Sequence, residues 1–240
     1  MGISPNQSSI AAALRSFLTS VLPAGVSVLL AQQNRVPEPA GTEFVIMTPI
    51  RMERLETNVD SYNDVRFQGS ISGNTLSVSN VSFGTIVVGA QLNGTGVIPG
   101  TTITALGTGA GGTGTYLVSQ PQTIPSQVLS SGAMSLQQNA KVTVQLDFHS
   151  QNDTLAGDYA QIVSTLLRDD YGVSYFAGLP PPQNSVAPLY ADDPAQRPFV
   201  NENQQYEWRW VLECVLQANQ VVSVPQQFAD SAMVVLKTVQ

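Results

Sequence analysis

Between Phe67 and Ala140 the chain contains no Asp, Glu, Lys, Arg or His, and 13 of its 19 glycines fall in that stretch. Arg66 closes the charged segment before it and Lys141 opens the one after it. A long helix is hard to build from this composition, because glycine costs about 1 kcal/mol per helical position relative to alanine. Short strands joined by tight turns suit it. Thr75-Leu-Ser-Val-Ser79 and Thr101-Thr-Ile-Thr104 alternate in period two, Ile86-Val-Val88 reads the same way, and Thr115-Tyr-Leu-Val-Ser119 is rich in β-formers. Glycines and Pro99 punctuate at about 8–12-residue spacing, as a small all-β unit requires. Pro121 to Ser135 reads as a polar, flexible return. The expectation is an inserted Gly/Thr-rich all-β domain over 67–140, set into a discontinuous core made of 1–66 and 141–240.

Around the insert the pattern changes. Ile10, Leu14, Phe17, Leu18 and Val21 mark one face of a helix that Ser8 or Ser9 could cap and that Pro23 and Gly25 stop. Val26 to Leu30 reads as a strand. Glu43 to Pro49 reads as a second, central strand, apolar on both faces and ending at Pro49. Arg51 to Arg66 carries seven charges of mixed sign, an exposed ribbon or loop. Lys141 to His149 alternates strictly, with Val142, Val144, Leu146 and Phe148 on one face and His149 on the exposed side. A second helix follows, capped by Asn152 or Asp153, with Leu155, Tyr159, Ile162, Val163 and Leu166 inward and Gly172 past its end. Asp169 and Asp170 would then sit near a carboxyl end, where the helix dipole disfavours anions. Ala177 to Asn203, with six prolines, reads as a long connection or arm. Gln205 to Leu216 is a strand with Tyr206, Trp208, Trp210, Leu212, Cys214 and Leu216 toward the core; Val221 to Val224 reads as a shorter strand ending at Pro225. The fold class expected is α+β: a mixed or antiparallel sheet with two helices on one face, interrupted by the inserted all-β domain.

Only 11% of the residues are charged, against roughly a quarter in an average soluble domain. Such a neutral surface suits a protein covered by neighbours. The formal net charge is -7, and the ten Lys and Arg form no run, which argues against gripping nucleic acid through its phosphates. One cysteine excludes an internal disulfide and a Cys-rich zinc site. Ile10 to Leu30 is apolar, but no basic residue precedes it, Arg15 lies inside it and Pro23-Ala-Gly25 breaks it, so neither a secretion signal nor a membrane span is expected.

Chemistry is sparsely represented. Gly107 to Gly114 lacks the terminal Lys-Ser/Thr and following helix of a phosphate loop. His149 is the single imidazole, with no nucleophile elbow to serve. Asp169-Asp170 and Asp192-Asp193 are adjacent pairs, and adjacent carboxylates rarely converge on one substrate. No catalytic, cofactor or metal site is expected, and the chain does not read as an enzyme.

The flanking segments carry a resemblance. Phe44-Val-Ile-Met-Thr-Pro-Ile50, Leu55-Glu-Thr-Asn-Val-Asp60, Val142-Thr-Val-Gln-Leu-Asp147, Pro188-Leu-Tyr-Ala-Asp-Asp-Pro194, Gln204-Gln-Tyr-Glu-Trp-Arg-Trp210, Leu216-Gln-Ala-Asn219 and Val224-Pro-Gln-Gln-Phe-Ala-Asp230 together resemble the neck terminator proteins of contractile-tailed bacteriophages. The insert, with Gly94-Thr-Gly-Val-Ile-Pro-Gly-Thr-Thr102 and Gly112-Thr-Gly-Thr-Tyr116, resembles a Gly/Thr-rich β module that recurs in unrelated phage structural proteins; many members of the terminator family look shorter here. The resemblance implies a virion protein, assembled in the host cytoplasm, that forms a homo-oligomeric, hexameric ring. That ring would cap the tail tube and join it to the head-neck connector, touching tail tube, sheath and neck proteins, with DNA passing through its lumen and no membrane involved. Its interface is expected at Tyr190, Asp192, Asp193, Phe199, Val221, Val222, Val224 and Phe228. A virion carbohydrate- or host-binding module, or a decoration module, is the alternative, with the insert as the binding part.

Overall fold

The computed structural model describes residues 2–31, 43–151, 154–197, 199–200 and 206–226, with backbone alone for 199, 200, 206 and 207. The elements in order are β1 (Ile3–Ser4), α1 (Gln7–Val21), β2 (Ser27–Leu30), β3 (Phe44–Arg54), β4 (Val59–Phe83), β5 (Gln91–Asn93), β6 (Ile103–Leu106), β7 (Gly114–Ser150), α2 (Leu155–Leu167), α3 (Asp170–Ala177), β8 (Val186–Ala191), β9 (Ala195–Gln196), β10 (Phe199–Val200) and β11 (Tyr206–Pro225). The chain divides into two compact units, one formed by Ile3–Asn58 and Gln137–Val221, the other built on Val59–Leu136. The two long strands β7 and β11 contribute residues to both.

In the first unit the strand order is β1-β11-β7-β3-β2, with β8, β9 and β10 also paired to β11. The sheet is mixed: β2 runs parallel to β3, while β3 is antiparallel to β7. The strict alternation of Lys141 to His149 has its expected result on one face, where Val142, Val144, Leu146 and Phe148 are buried with Leu212, Cys214 and Leu216 of β11 against the helices. α1 buries Ile10, Ala13, Leu14, Phe17 and Leu18. Its cap is Asn6, not Ser8 or Ser9: Asn6 Oδ1 accepts from the Ser9 backbone N–H at 2.9 Å and satisfies one of the orphan donors of the first turn.

Among the described residues the helical layer has three α-helices, not two. Asp169, expected near a carboxyl end, is the N-cap of α3 and accepts from the Tyr171 N–H at 3.0 Å. Asp169 and Asp170 therefore sit at an amino end, where the dipole favours anions. Gly172 lies past the end of α2 as expected, but inside α3; a Cβ there would come within 2.6 Å of the Leu166 carbonyl oxygen, so α3 can pack on the end of α2 only through glycine. α2 buries Ala156, Tyr159, Ala160, Val163, Ser164 and Leu167, and Ile162 is exposed. The buried stripe is rotated from the expected one because the small residues Ala156 and Ala160 allow close approach and Gly157 receives the Trp210 ring. Asn152 and Asp153, the expected caps, lie outside the described residues.

Other local readings also change. Pro49 does not end β3: a register shift between Pro49 and Arg51 absorbs the missing N–H and the strand continues to Arg54. Most of the Ala177 to Asn203 connection is structured, since Val186–Ala191 forms β8 against β11 from Ala218 to Cys214. Val221 to Val224 is the end of β11, not a separate strand. Trp210 packs on the core, but Trp208 is 40% exposed. His149 is buried, stacked on Phe44 with ring centroids 4.6 Å apart and planes 9° apart.

The second unit is all-β in its described residues. β4 folds back on itself at Gly73 (φ +59°), where Gly69 faces the Ser77 carbonyl oxygen and Ser79 Oγ donates to the Gln68 carbonyl oxygen at 3.3 Å. β5 pairs Gly132 to Ser130, and β6 pairs Val118 to Tyr116, both on β7. Pro121 to Ser135 is thus part of a strand, not a flexible return. Ile86–Val88 is not a strand; Ile86 donates its N–H to the Gly111 carbonyl oxygen and buries its side chain. Phe67, Ile71, Leu76, Leu92, Ile103 and Tyr116 form the centre of a separate core. The Gly-rich run wraps the Tyr116 ring: its hydroxyl donates to the Gly112 carbonyl oxygen at 2.6 Å and accepts from the Gly111 N–H at 3.1 Å.

Candidate interface surface

The residues expected at an interface separate into groups. Tyr190, Asp192 and Asp193 lie together, at and just beyond the end of β8. In the β8–β11 ladder Val215 opposes Tyr190 and Leu216 opposes Pro188, which leaves Leu189 as an extra residue. A bulge of this kind re-aims side chains, and here Leu189 and Tyr190 are both turned outward, 46% and 52% exposed. The turn behind them is fastened down. Asp192 donates its N–H to the Glu213 carbonyl oxygen at 2.8 Å, and Ser164 Oγ donates to the Asp192 carbonyl oxygen at 3.1 Å.

Arg168, at the carboxyl end of α2 where a cation is favoured, completes the group. Its Nε donates to the Ala191 carbonyl oxygen at 2.6 Å, its guanidinium pairs with Asp193 Oδ1 at 2.9 Å, and it lies 5.4 Å from the centre of the Tyr190 ring. The Asp193 side chain is 91% exposed, so that ion pair adds little stability. What the arrangement provides is a rigid, outward-facing Leu189-Tyr190 knob. Neither Arg168 nor Leu189 was among the residues expected. The helix dipole is the signal that could have marked Arg168; the bulge that exposes Leu189 leaves no mark in the sequence.

Val221 and Val222 are half-buried in β11, as is Val224 two residues later. Phe199 pairs its backbone opposite Glu207. Phe228 lies outside the described residues.

On the sheet face away from the helices in the first unit, two carboxylates are paired with cations. Arg209 binds Asp147 Oδ1 through Nε at 2.9 Å and through its terminal nitrogen at 2.6 Å, and Gln145 donates to both Asp147 oxygens. Glu53 pairs with Arg51 at 2.9 Å and Lys141 at 3.5 Å. Gln217 donates to Asn219 at 2.7 Å, and Gln137 to Asn139 at 3.1 Å.

Two side chains have their ionisation suppressed. Complete burial pushes the Cys214 thiol up to about 12, which suppresses the thiolate. Tyr159 is raised above its ordinary range by burial and then by its hydrogen bond to Glu43 Oε2, 2.8 Å long. Among the described residues no group of His, Cys, Asp and Glu is arranged to hold a metal ion, and no helix is long and apolar enough to cross a membrane.

Residues 78–238 match the family described as phage neck terminator protein. The chain belongs to that family. It is a structural protein of the phage virion, a component of the neck. No curated protein matches it. The match includes β8, β11 and the Tyr190–Asp193 turn, and also takes in most of the Gly/Thr-rich unit.

Proposed function

We propose that this neck terminator assembles as a hexameric ring that closes the head-proximal end of a contractile tail tube and joins it to the head-neck connector. Membership of the terminator family carries this reading. Tail tube, sheath and connector proteins are the partners, and DNA passes through the lumen without sequence-specific contact. The surface supports the assignment. Few charges and abundant amides suit a chain enclosed by copies of itself, and the outward knob of Leu189 and Tyr190 on a strand that, among the described residues, pairs only with β11 offers a self-association point. Tyr190, Asp192, Asp193, Phe199, Val221, Val222, Val224 and Phe228 form the interface in this reading. A net charge of -7, with Arg209 and Lys141 already matched by carboxylates, favours a channel that does not hold DNA. The Gly/Thr-rich residues 67–140 act as an insertion carried on the terminator core.

The test is a phage in which this gene is interrupted. Filled heads and tails that accumulate separately, and that join when purified protein is added, are the expected result. Normal joining without the protein contradicts the proposal.

A further inference from the structure

The two most exposed large apolar side chains among the described residues belong to one small cleft. Tyr62 is 61% exposed and Phe83 66%, and both line an open cleft of about 430 Å³ together with Asn63, Asp64, Gly84 and Thr85. All six residues belong to the second unit. The cleft forms where the two ends of β4 come back together. Tyr62 and Asp64 share the outer face of the strand by its two-residue period, while Val65 and Phe67 go into the core. Gly84 has φ +78°, and a Cβ there would overlap the carbonyl oxygen of Asp64. Only glycine lets the chain settle at this point, and that close seat positions Phe83 and Thr85 on either side of it.

Exposed aromatic rings are costly surface to leave in water unless something covers them. The chemistry beside these two rings says what. The cleft offers an amide, a hydroxyl and one carboxylate, and its lining contains no Lys, Arg or His. An anionic ligand, whether phosphate, nucleic acid or acidic lipid, would meet no positive charge there. A single carboxylate is too few oxygens for a calcium or magnesium site. A neutral sugar ring matches the lining: its C–H face lies against an aromatic ring, and its hydroxyls find an acceptor in Asp64 and a donor and acceptor in Thr85.

We infer that this cleft is a binding site for neutral saccharide, with Tyr62 and Phe83 as stacking platforms and Asp64 and Thr85 as the hydroxyl-reading groups. The site gives the virion neck a carbohydrate-binding function separate from ring closure, and the two stand or fall independently.

The experiment is saturation-transfer NMR and calorimetric titration on the full-length protein, with maltotriose, cellotriose and chitotriose as probes and choline as a cationic comparison. Binding of at least one trisaccharide at millimolar concentration is expected. Tyr62→Ala and Phe83→Ala should each weaken it about tenfold or more, as loss of a stacking platform implies. Val128→Ala, at an exposed position of the same unit outside the cleft, should leave it within about twofold of the wild type. The exposed positions allow both alanine variants to keep the wild-type circular dichroism spectrum. Absence of binding to all three trisaccharides overturns the inference, as does binding that survives both alanine substitutions. Binding of choline alone would reassign the site to cations and overturn it too. If Tyr62→Ala and Phe83→Ala instead abolish attachment to other neck proteins while no sugar binds, the cleft is a protein contact and the inference is wrong.

Discussion

Gly109→Ala is expected to damage the second unit out of proportion to the single methyl it adds. A Cβ at Gly109 would stand 2.5 Å from the Tyr116 ring carbon and hydroxyl oxygen. The ring cannot step aside, because it is fully buried and its hydroxyl is bonded to Gly112 and Gly111. Overpacking of this kind costs about 1–3 kcal/mol, and displacing the hydroxyl adds about 1 kcal/mol for each of its two hydrogen bonds, giving about 3–5 kcal/mol in all. Gly112→Ala, three residues on, is the internal control: nothing lies within 4 Å of its Cβ position and its φ is not left-handed, so it should be neutral or slightly stabilising. Scanning calorimetry of the full chain reads the loss. Tryptophan fluorescence supplies a second channel, since both tryptophans, Trp208 and Trp210, lie in the other unit. Adding Tyr116→Leu to Gly109→Ala should give less than the sum of the two single losses, because the methyl then has room. A cost below about 0.5 kcal/mol for Gly109→Ala, or equal costs at Gly109 and Gly112, would refute the packing argument.

Trp210→Ala should cost about 3 kcal/mol, the low end for removing a large aromatic, because Trp210 is only partly buried; urea unfolding followed by far-ultraviolet circular dichroism measures it, and a loss under about 1 kcal/mol contradicts the packing on Gly157. Arg168→Ala should lower stability by no more than about 1 kcal/mol, since its ion pair is exposed, yet weaken self-association more than Asp158→Ala does in sedimentation; equal effects would remove Arg168 from the interface. Cys214 should resist thiol reagents in the native protein at neutral pH. Its raised value stabilises the fold fully below the ordinary 9.0, and that contribution declines from there toward about 12, so denaturant midpoints should fall in that window and fall less in Cys214→Ala. Arg54 opposes Ala140, and Leu55 donates its N–H to the Asn139 carbonyl oxygen, so a short turn can join these ends. A chain so joined, lacking 59–136, should keep a cooperative unfolding transition by tryptophan fluorescence; loss of that transition would show that the first unit cannot fold alone.

Periodicity made the sheet's core face legible. Val142, Val144, Leu146 and Phe148 alternate without interruption, and one register puts them all inside. The same reasoning failed at Ile162 because small residues, invisible to an apolar count, decide how closely a helix approaches: Ala156, Ala160 and Gly157 rotate α2 toward Trp210. Asp169 misled because a carboxylate between two short helices reads equally as the end of one or the cap of the next, and only the Tyr171 N–H decides it. β8 was hidden by Pro188 and by the prolines before it, although an edge strand with a bulge tolerates proline. Of the surface, the Tyr190-Ala-Asp-Asp193 run coincides with an exposed turn at the end of β8. The Arg168 clasp and the Tyr62-Phe83 cleft depend on residues 22 and 21 positions apart meeting in space, which no local pattern announces.

The ring is most directly tested by the mass of the purified protein in solution, measured by light scattering across a concentration series and paired with negative-stain images of the same sample and of tails mixed with it. The account predicts closed rings of hexameric mass, or a monomer that forms such rings on tail ends. A protein that stays monomeric and leaves purified tail ends bare would contradict it.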